Sequence, residues 1–140
     1  MTQENKDLLF ADLCARIPYG LKCQKTAVWY SEGHEIEKVD TVTLKASFLE
    51  NDNYMIYKPY LLPLSSLTKE QRIIISNKIK EIQINNPPFG KIHDSGTDNL
   101  LNNITLCAQW LINYYIENHF DYNGLIEKGL AIDATGLNIY

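Results

Sequence analysis

The stretch Leu100–Ile132, LLNNITLCAQWLINYYIENHFDYNGLIEKGLAI, decides the fold because it holds the longest apolar-periodic run in the chain. Its apolar residues recur at steps of three and four, which is the spacing of one face of an α-helix. Asp98 precedes the run, and its carboxylate can accept hydrogen bonds from the free amides of a first helical turn. The turn formers Asp121-Tyr122-Asn123-Gly124 follow it. The pattern predicts a helix over 99–118 and then a short strand or a last half-buried helical turn.

The residues before this stretch predict two further helices and a sheet. Apolar spacing indicates a helix over 5–16, and a second helix over 69–84 that begins after a capping box of Thr68 and Gln71. The buried stripe of the second helix is predicted to be Ile75, Ile79 and Ile82.

Alternating residues within 21–58 predict three or four antiparallel strands joined by turns. They include a strand from 21 that continues to 30 after a kink at Thr26, a turn over 31–34, and a strand over 37–48. Because Pro59 and Pro63 lack amide donors, we interpret the segment 59–67 as an extended connector rather than a central strand.

These elements predict an α+β fold in which a small antiparallel sheet (residues 21–58) is packed by the three helices. The length of 140 residues suits a single domain over 1–140 and allows a sizeable core. The net charge of −4 argues against general nucleic-acid binding, because that requires a concentrated basic face. Three cysteines without a C-x-x-C pair fit a reducing compartment, and Cys14 and Cys107 are predicted on buried helix faces.

The sequence does not show the pattern of a signal peptide or of a membrane-spanning helix. The first residues, MTQENKDLLF, lack the basic flank and apolar core of a signal peptide. No window approaches the roughly 18 apolar residues of a membrane-spanning helix. We therefore expect a cytoplasmic protein without membrane contact.

The irregular segment 89–97, FGKIHDSGT, is the candidate ligand site. It combines glycines, a lysine and hydroxyls just before a helix N-terminus, which are the ingredients of an anion-binding loop. The order of residues does not match G-x-x-x-x-G-K-[ST], and a plain connector is the alternative interpretation. The predicted contacts of a small anionic ligand are Lys91, His93, Ser95, Thr97, Tyr122, Lys58 and Arg16. A second interpretation places a stacking face on the sheet, formed by Trp29, Tyr30, Tyr54, Tyr57 and Tyr60.

Motifs for catalysis and metal binding are missing from the sequence. Gly-x-Ser-x-Gly is absent, and the three histidines show none of the H-x-E, H-E-x-x-H or H-x-H spacings. We therefore predict no catalytic residue, metal or cofactor. His93 and Asp94 with Asp121 would be the acid–base group of a small hydrolase or nuclease, which is kept as an alternative. His119 follows a helix end, where the dipole favours an imidazolium, and we interpret it as a cap.

Three segments resemble an uncharacterised family of small proteins carried by phages and prophages of gut-type bacteria. His119–Asp133, HFDYNGLIEKGLAID, is similar to the family's C-terminal F-D-Y-R-G-L-I-x-x-G-L-A motif, with Asn123 in place of the arginine. Leu8–Cys23 is similar to the family's opening, and Lys58–Gln71 to its middle, with Leu62 in place of an arginine. The three segments cover about a third of the chain, and the resemblance implies no activity.

The expected function is that of a non-catalytic accessory binding protein of phage type. It would be an anti-defence protein that sequesters a small nucleotide-like signal or inhibits a host protein, in the cytoplasm of the bacterial host. Besides the hydrolase or nuclease, the alternative is a homo-oligomeric structural or assembly protein. That protein would expose an apolar patch around Trp110 and Tyr114, which lie four residues apart and can stack.

Overall fold

The computed structural model describes residues 1–85 and 96–140, and the side chains of these residues except those of 51–53 and 96–102. In chain order the elements are α1 (Gln3–Arg16), β1 (Lys22–Ser31), β2 (His34–Thr43), β3 (Tyr57–Pro63), α2 (Lys69–Asn85), α3 (Gly96–Glu117), β4 (Phe120–Asp121) and β5 (Ile132–Asp133). Short 3₁₀ segments cover Ile17–Tyr19, Ala46–Ile56 and Leu64–Ser66. Helices and one sheet in this order confirm the predicted α+β class.

The chain divides into two units, one of Met1–Leu64 with Ile116–Tyr140 and the other of Ser65–Tyr115. The sheet and α1 belong to the first unit, and α2 with most of α3 to the second. Within the first unit α1 packs with the sheet, as predicted, and a single domain over 1–140 stays a prediction. Among the described residues, no helix has both the length and the apolar character needed to cross a bilayer.

The first helix contributes two leucines to the core of the first unit. The hydroxyl of Thr2 accepts a hydrogen bond from the amide of Asn5 at 3.2 Å, so α1 begins two residues before the predicted start. Leu9 and Leu13 lie on one face of α1 and are buried against Leu21. The rest of this cluster comes from the sheet, from the 44–56 connection and from the C-terminal segment: Cys23, Leu44, Tyr54, Tyr57, Leu61, Leu125, Leu130 and Ala131.

The longest pairing in the sheet joins β1 and β2 in an antiparallel hairpin. The register runs without interruption from Lys22 opposite Thr43 to Ser31 opposite His34, so the kink expected at Thr26 is wrong. The predicted turn is confirmed: Glu32 and Gly33 adopt φ of 52° and 78°, as a two-residue type I′ turn requires. The expectation of one strand over 37–48 is also wrong, because β2 ends at Thr43 and 3₁₀ helix begins at Ala46.

The segment interpreted as a connector is the central strand of the sheet, which runs in the order β2-β1-β3-β4, with β5 also on β3. Pro59 is the last residue of β3 that pairs with β1, and Pro63 is the last that pairs with β4. Each proline thus ends a ladder, where a missing amide donor is tolerated. Because β4 and β5 pair with β3 in parallel, the sheet is mixed rather than antiparallel and extends beyond the predicted range of 21–58.

The cysteines are distributed otherwise than predicted. Cys14 lies on the outer face of α1 and is exposed, whereas Cys107 is half-buried. Cys23 is fully buried in the core. Burial, and after it the nearby Asp12 carboxylate, raises the pKa of the Cys23 thiol to about 12. Cys23 therefore remains a neutral thiol and packs as a small apolar side chain.

The second unit is built from α2 and α3. The predicted capping box is confirmed, since the Gln71 amide donates to the Thr68 hydroxyl at 3.1 Å and the Thr68 amide donates to the Gln71 side chain at 2.9 Å. Over Lys69–Asn85, all of which the structure describes, no side chain is fully buried, and the predicted stripe of Ile75, Ile79 and Ile82 is half-buried.

The longest helix confirms the helical interpretation of the opening stretch and corrects its start. α3 begins at Gly96, so Asp98 lies within the helix rather than before it. The rings of Trp110 and Tyr114 stack with centroids 5.2 Å apart, as their four-residue spacing predicts. Both side chains are half-buried rather than fully exposed.

Candidate functional site

Arg16, one of the predicted ligand contacts, is fully buried and bound within the protein. Its Nε donates to Oδ2 of Asp12 at 2.7 Å, and its Nη2 donates to Oδ1 of Asp12 at 3.0 Å. Nη2 also donates to the backbone carbonyl of Phe120 at 2.7 Å. Asp12 and Arg16 are one helical turn apart on α1, which suits a two-pronged ion pair. The guanidinium therefore links α1 to β4.

The residues after β4 complete the surroundings of this ion pair. The side-chain amide of Asn123 donates to Oδ1 of Asp12 at 3.2 Å. The ring centroid of Tyr122 lies 5.7 Å from Cζ of Arg16, within the range of a cation–π contact. Of the predicted ligand contacts, the structure thus brings Arg16 and Tyr122 together. Asn123, which stands where the resembled family has an arginine, supplies a neutral donor to a carboxylate that already balances one cation.

Asp121 of the proposed acid–base group holds a turn. Its Oδ1 accepts from the amide of Leu125, and its Oδ2 accepts from the amide of Ile126, both at 2.9 Å. The carboxylate is buried, and both of its oxygens satisfy backbone donors of the 121–126 segment. The other two members of the group, His93 and Asp94, lie outside the described residues.

His119 is a helix cap, as predicted, but its imidazole is held neutral. The residue adopts φ of 62°, and its amide donates to the Ile116 carbonyl at 3.2 Å, which ends α3. The side chain is buried, and one ring nitrogen donates to the backbone carbonyl of Tyr19. Burial, followed by the positive charge of Arg16, lowers the pKa of His119 from 6.5 to about 4. The expectation of an imidazolium is wrong because desolvation outweighs the helix dipole.

Tyr140 covers the imidazole and joins the end of the sequence to the sheet. Its ring stacks on that of His119, with centroids 3.9 Å apart and planes at 11°. Its hydroxyl donates to the Tyr60 carbonyl at 2.8 Å and accepts from the Lys22 amide at 3.1 Å. Burial raises the pKa of the Tyr140 hydroxyl, which stays protonated. Among the described groups, Nδ1 of His119 has no hydrogen-bond partner.

We call Asp12, Arg16, His119, Asn123 and Tyr140 the polar cluster. Its members hydrogen-bond or stack with one another and with the backbone of β1, β3 and β4. This arrangement is typical of internal support, because the charged groups are already paired.

The remaining predicted ligand contacts are dispersed or not described. Lys58 is exposed on β3, opposite Gln24 of β1. Lys91, His93 and Ser95 lie outside the described residues, as does the side chain of Thr97. Among the side chains that the structure describes, no three His, Cys, Asp or Glu residues gather as a metal site would require.

Sequence reasoning missed the outer half of the β1–β2 hairpin, which we call the arm (residues 26–39). β3 pairs with β1 only as far as Lys25, so in the described part of the chain the arm is a ribbon of two strands. Trp29 is 42% exposed and Tyr30 75%. The large apolar side chains that the arm exposes are Val28, Trp29, Tyr30, Ile36 and Val39.

The register distributes these side chains over both faces of the arm. Trp29 lies opposite Ile36 on one face. Val28, Tyr30 and Val39 occupy the other face, which alternates with the first along each strand. The predicted stacking face is therefore wrong, because Tyr54, Tyr57 and Tyr60 are buried while Trp29 and Tyr30 point to opposite sides.

The arm is acidic. Glu32, Glu35 and Glu37 are exposed on it, and the ammonium of its single lysine, Lys38, lies 3.1 Å from the Asp40 carboxylate. The sequence signal for the arm lies within 27–39. Successive residues of a strand point to opposite faces, and here apolar residues occur at the positions of both faces. A strand with one covered face would keep them on that face.

Comparison of the chain with protein-family models, with curated proteins and with solved structures finds no match. The resemblance to a phage-carried family stays a prediction.

Proposed function

We propose that this chain is a non-catalytic binding protein and that the arm is its contact surface for another protein. The observation that carries the proposal is the exposure of large apolar side chains on both faces of a two-stranded ribbon. A ribbon of this kind has no core of its own and is marginally stable in water. A partner that enclosed the arm would cover both faces at once.

The arm has the composition of a strong protein-binding element. Full burial of a side chain of this size is worth about 1.5–3 kcal/mol, so covering the exposed part of each gains roughly 1 kcal/mol. Tryptophan and tyrosine are the side chains that most often dominate binding free energy at protein interfaces. Trp29 and Tyr30 are adjacent and point to opposite faces, so each would anchor one side of the enclosing surface.

The charge of the arm specifies the partner further. Three exposed glutamates against one lysine favour an apolar cleft with a basic rim, because complementary charges speed encounter and exclude wrong partners. A second arm would bring like charges together, so the chemistry favours a different protein over a second copy. Phosphate backbones are repelled by the same charges.

In biological terms we propose an accessory protein of phage type that inhibits a host protein, in keeping with the resemblance. The arm supports this version more than the sequestration of a nucleotide-like signal. Sequestration at 89–97 would depend on residues outside the described ones and on Arg16, whose guanidinium is occupied by Asp12. A hydrolase or nuclease would require Asp121 to release the two amides that it holds.

The test compares three tagged proteins as baits in a lysate of enteric bacteria, with chemical crosslinking and mass spectrometry. The arm variant is Trp29→Ser with Tyr30→Ser. The matched control is Met55→Ser with Leu137→Ser, which removes two exposed apolar side chains of the same unit away from the arm. We expect the wild type and the control to capture the same protein with crosslinks to 26–39, and the arm variant to lose it.

Equal capture by the arm variant would refute the role of the arm. Native mass spectrometry of the purified wild type provides the second measurement. If the protein retained a small molecule of fixed mass and captured no other protein, its function would be sequestration of that molecule rather than inhibition of a host protein.

A further inference from the structure

A groove of about 490 Å³ follows one face of α2 in the Ser65–Tyr115 unit. This volume lies within the range of small-molecule sites, about 300–1,000 Å³. Ile75 and Ile79 line it at four-residue spacing and are half-buried, and Tyr115 of α3 closes one side. The groove thus offers an apolar floor long enough for a ring or a short chain.

The charged groups of the groove are all positive. Arg72 and Lys80 are its charged lining residues, and among the described residues that line it none is acidic. Nε of Arg72 donates to the Leu67 carbonyl at 3.4 Å, which restrains the guanidinium at the groove. Among the described side chains, no carboxylate forms an ion pair with either cation.

The neighbouring cavity on the other side of α2 provides an internal contrast. It measures about 380 Å³ and is lined by Lys78, Glu81 and Trp110 among others. There the ammonium of Lys78 lies 3.2 Å from the Glu81 carboxylate, so its charge is balanced within the helix. The Arg72–Lys80 groove differs in that it combines an apolar floor with cations for which the described side chains provide no ion-pair partner.

We propose that this groove binds a small amphiphilic anion, with its apolar ring or chain on Ile75 and Ile79 and a carboxylate or phosphate head between Arg72 and Lys80. Guanidinium and ammonium groups recognise both kinds of head group. The groove lies in a different unit from the arm and takes a different class of ligand, so its binding is independent of partner capture by the arm.

The experiment titrates the full chain with decanoate and with decyl phosphate below their micellar concentrations, by calorimetry and by amide NMR shifts. Decanol, which has the same chain without a charge, is the control ligand. We expect saturable binding of one or both anions, shifts confined to the groove face of α2 and to Tyr115, and weaker binding of decanol. Tighter binding of decyl phosphate than of decanoate would assign a phosphate head, and the reverse order a carboxylate.

Two double variants of equal charge change decide whether the cations act. Arg72→Gln with Lys80→Gln should weaken anion binding about tenfold, because two charge-assisted contacts are lost. Lys69→Gln with Lys78→Gln lies on the same helix outside the groove and should bind as the wild type does. If the double variant fails to fold, Lys80→Gln alone provides the test. This change affects an exposed side chain and should not disturb the fold, and it should weaken anion binding about threefold.

No saturable binding of either anion to the wild type would overturn the proposal. So would equal affinities of the wild type and of the folded Arg72→Gln, Lys80→Gln protein. Retained anion binding by the Trp29→Ser, Tyr30→Ser variant is expected, since the arm contributes no lining residue to the groove.

Discussion

The base and the arm of the β1–β2 hairpin share one continuous ladder but differ in what covers them. At the base, Cys23 pairs with Val42 on one side and Pro59 on the other, and is fully buried. Six residues further along the same strand, Trp29 pairs with Ile36 and is 42% exposed. The pairing of β1 with β2 therefore continues through both halves, whereas pairing of β1 with β3 and full burial of side chains are features of the base.

This difference separates stability from recognition along one pair of strands. The base is fixed by α1, by β3 and by the polar cluster, so substitutions there should change the free energy of unfolding. The arm contributes apolar side chains that the chain itself does not cover, so substitutions there should change binding. The predictions that follow test this separation by moving from the polar cluster outward.

The largest effect is expected from Arg16→Met, which keeps the bulk of the side chain and removes its charge. Asp12 would remain buried without its counter-charge, and breaking one half of such a pair destabilises a protein by about 3–5 kcal/mol. Urea unfolding measures the loss. The double variant Asp12→Asn, Arg16→Met should recover part of it, because the uncompensated charge is gone. Equal losses in the single and double variants would contradict a charge effect.

The next effect is a dependence of stability on pH through His119. The pKa of His119 is about 4 in the folded protein, against the ordinary histidine value of 6.5 in the unfolded chain, so between these pH values the unfolded state binds the additional proton. The contribution of neutral His119 to the free energy of unfolding is therefore fully present above pH 6.5. As the pH falls toward 4, the free energy of unfolding should decrease by about 3 kcal/mol.

The measurement is urea unfolding at several pH values for the wild type and for His119→Asn, a residue that tolerates positive φ. We expect the variant to show a smaller decrease between pH 6.5 and 4. Asp133, whose pKa the Thr135 hydroxyl lowers, is present in both proteins and cancels in the comparison. Parallel curves would show that His119 is protonated without loss of stability.

A smaller effect is expected from Tyr140→Phe, which keeps the stack on His119 and deletes the hydroxyl. The Tyr60 carbonyl and the Lys22 amide would each lose a partner, at a cost of about 1–2 kcal/mol. Thermal and urea unfolding measure it. Tyr19→Phe, at an exposed tyrosine, is the matched control and should stay within about 0.5 kcal/mol of the wild type.

The smallest effect on stability is expected in the arm. Trp29→Ser with Tyr30→Ser should change the free energy of unfolding by about 1 kcal/mol or less, because both side chains are largely exposed. The same variant should show the greatest loss of partner capture. A loss of stability as large as that of Arg16→Met would remove the distinction between base and arm.

Local signals explain what the sequence predicted. The helices follow from three- and four-residue spacing, and the Thr68–Gln71 box and the turn at 31–34 follow from side-chain chemistry within four residues. The same logic failed for β3, because the prolines are tolerated only where its ladders with β1 and β4 end. β4 and β5 are two residues long, too short to show alternation, and β4 lies far along the chain.

The candidate site depended still more on distant contacts. Arg16 was predicted as an available cation, but one of its partners, the Phe120 carbonyl, is 104 residues away in sequence. Its burial could not be inferred from α1 alone. The exposure of the arm could not be inferred either, because the sequence indicates strands but does not show that β3 stops pairing with β1 at Lys25.

Because Cys23 is buried, chemical modification of its thiol can report local unfolding at the base of the sheet. A thiol-specific reagent reacts with the thiolate, and this thiol has no exposed surface and a pKa of about 12. Modification of Cys23 therefore requires the base to open, while the exposed Cys14 is modified without any opening. The ratio of the two modification rates would follow the opening equilibrium of this region under native conditions, without denaturant or an introduced label.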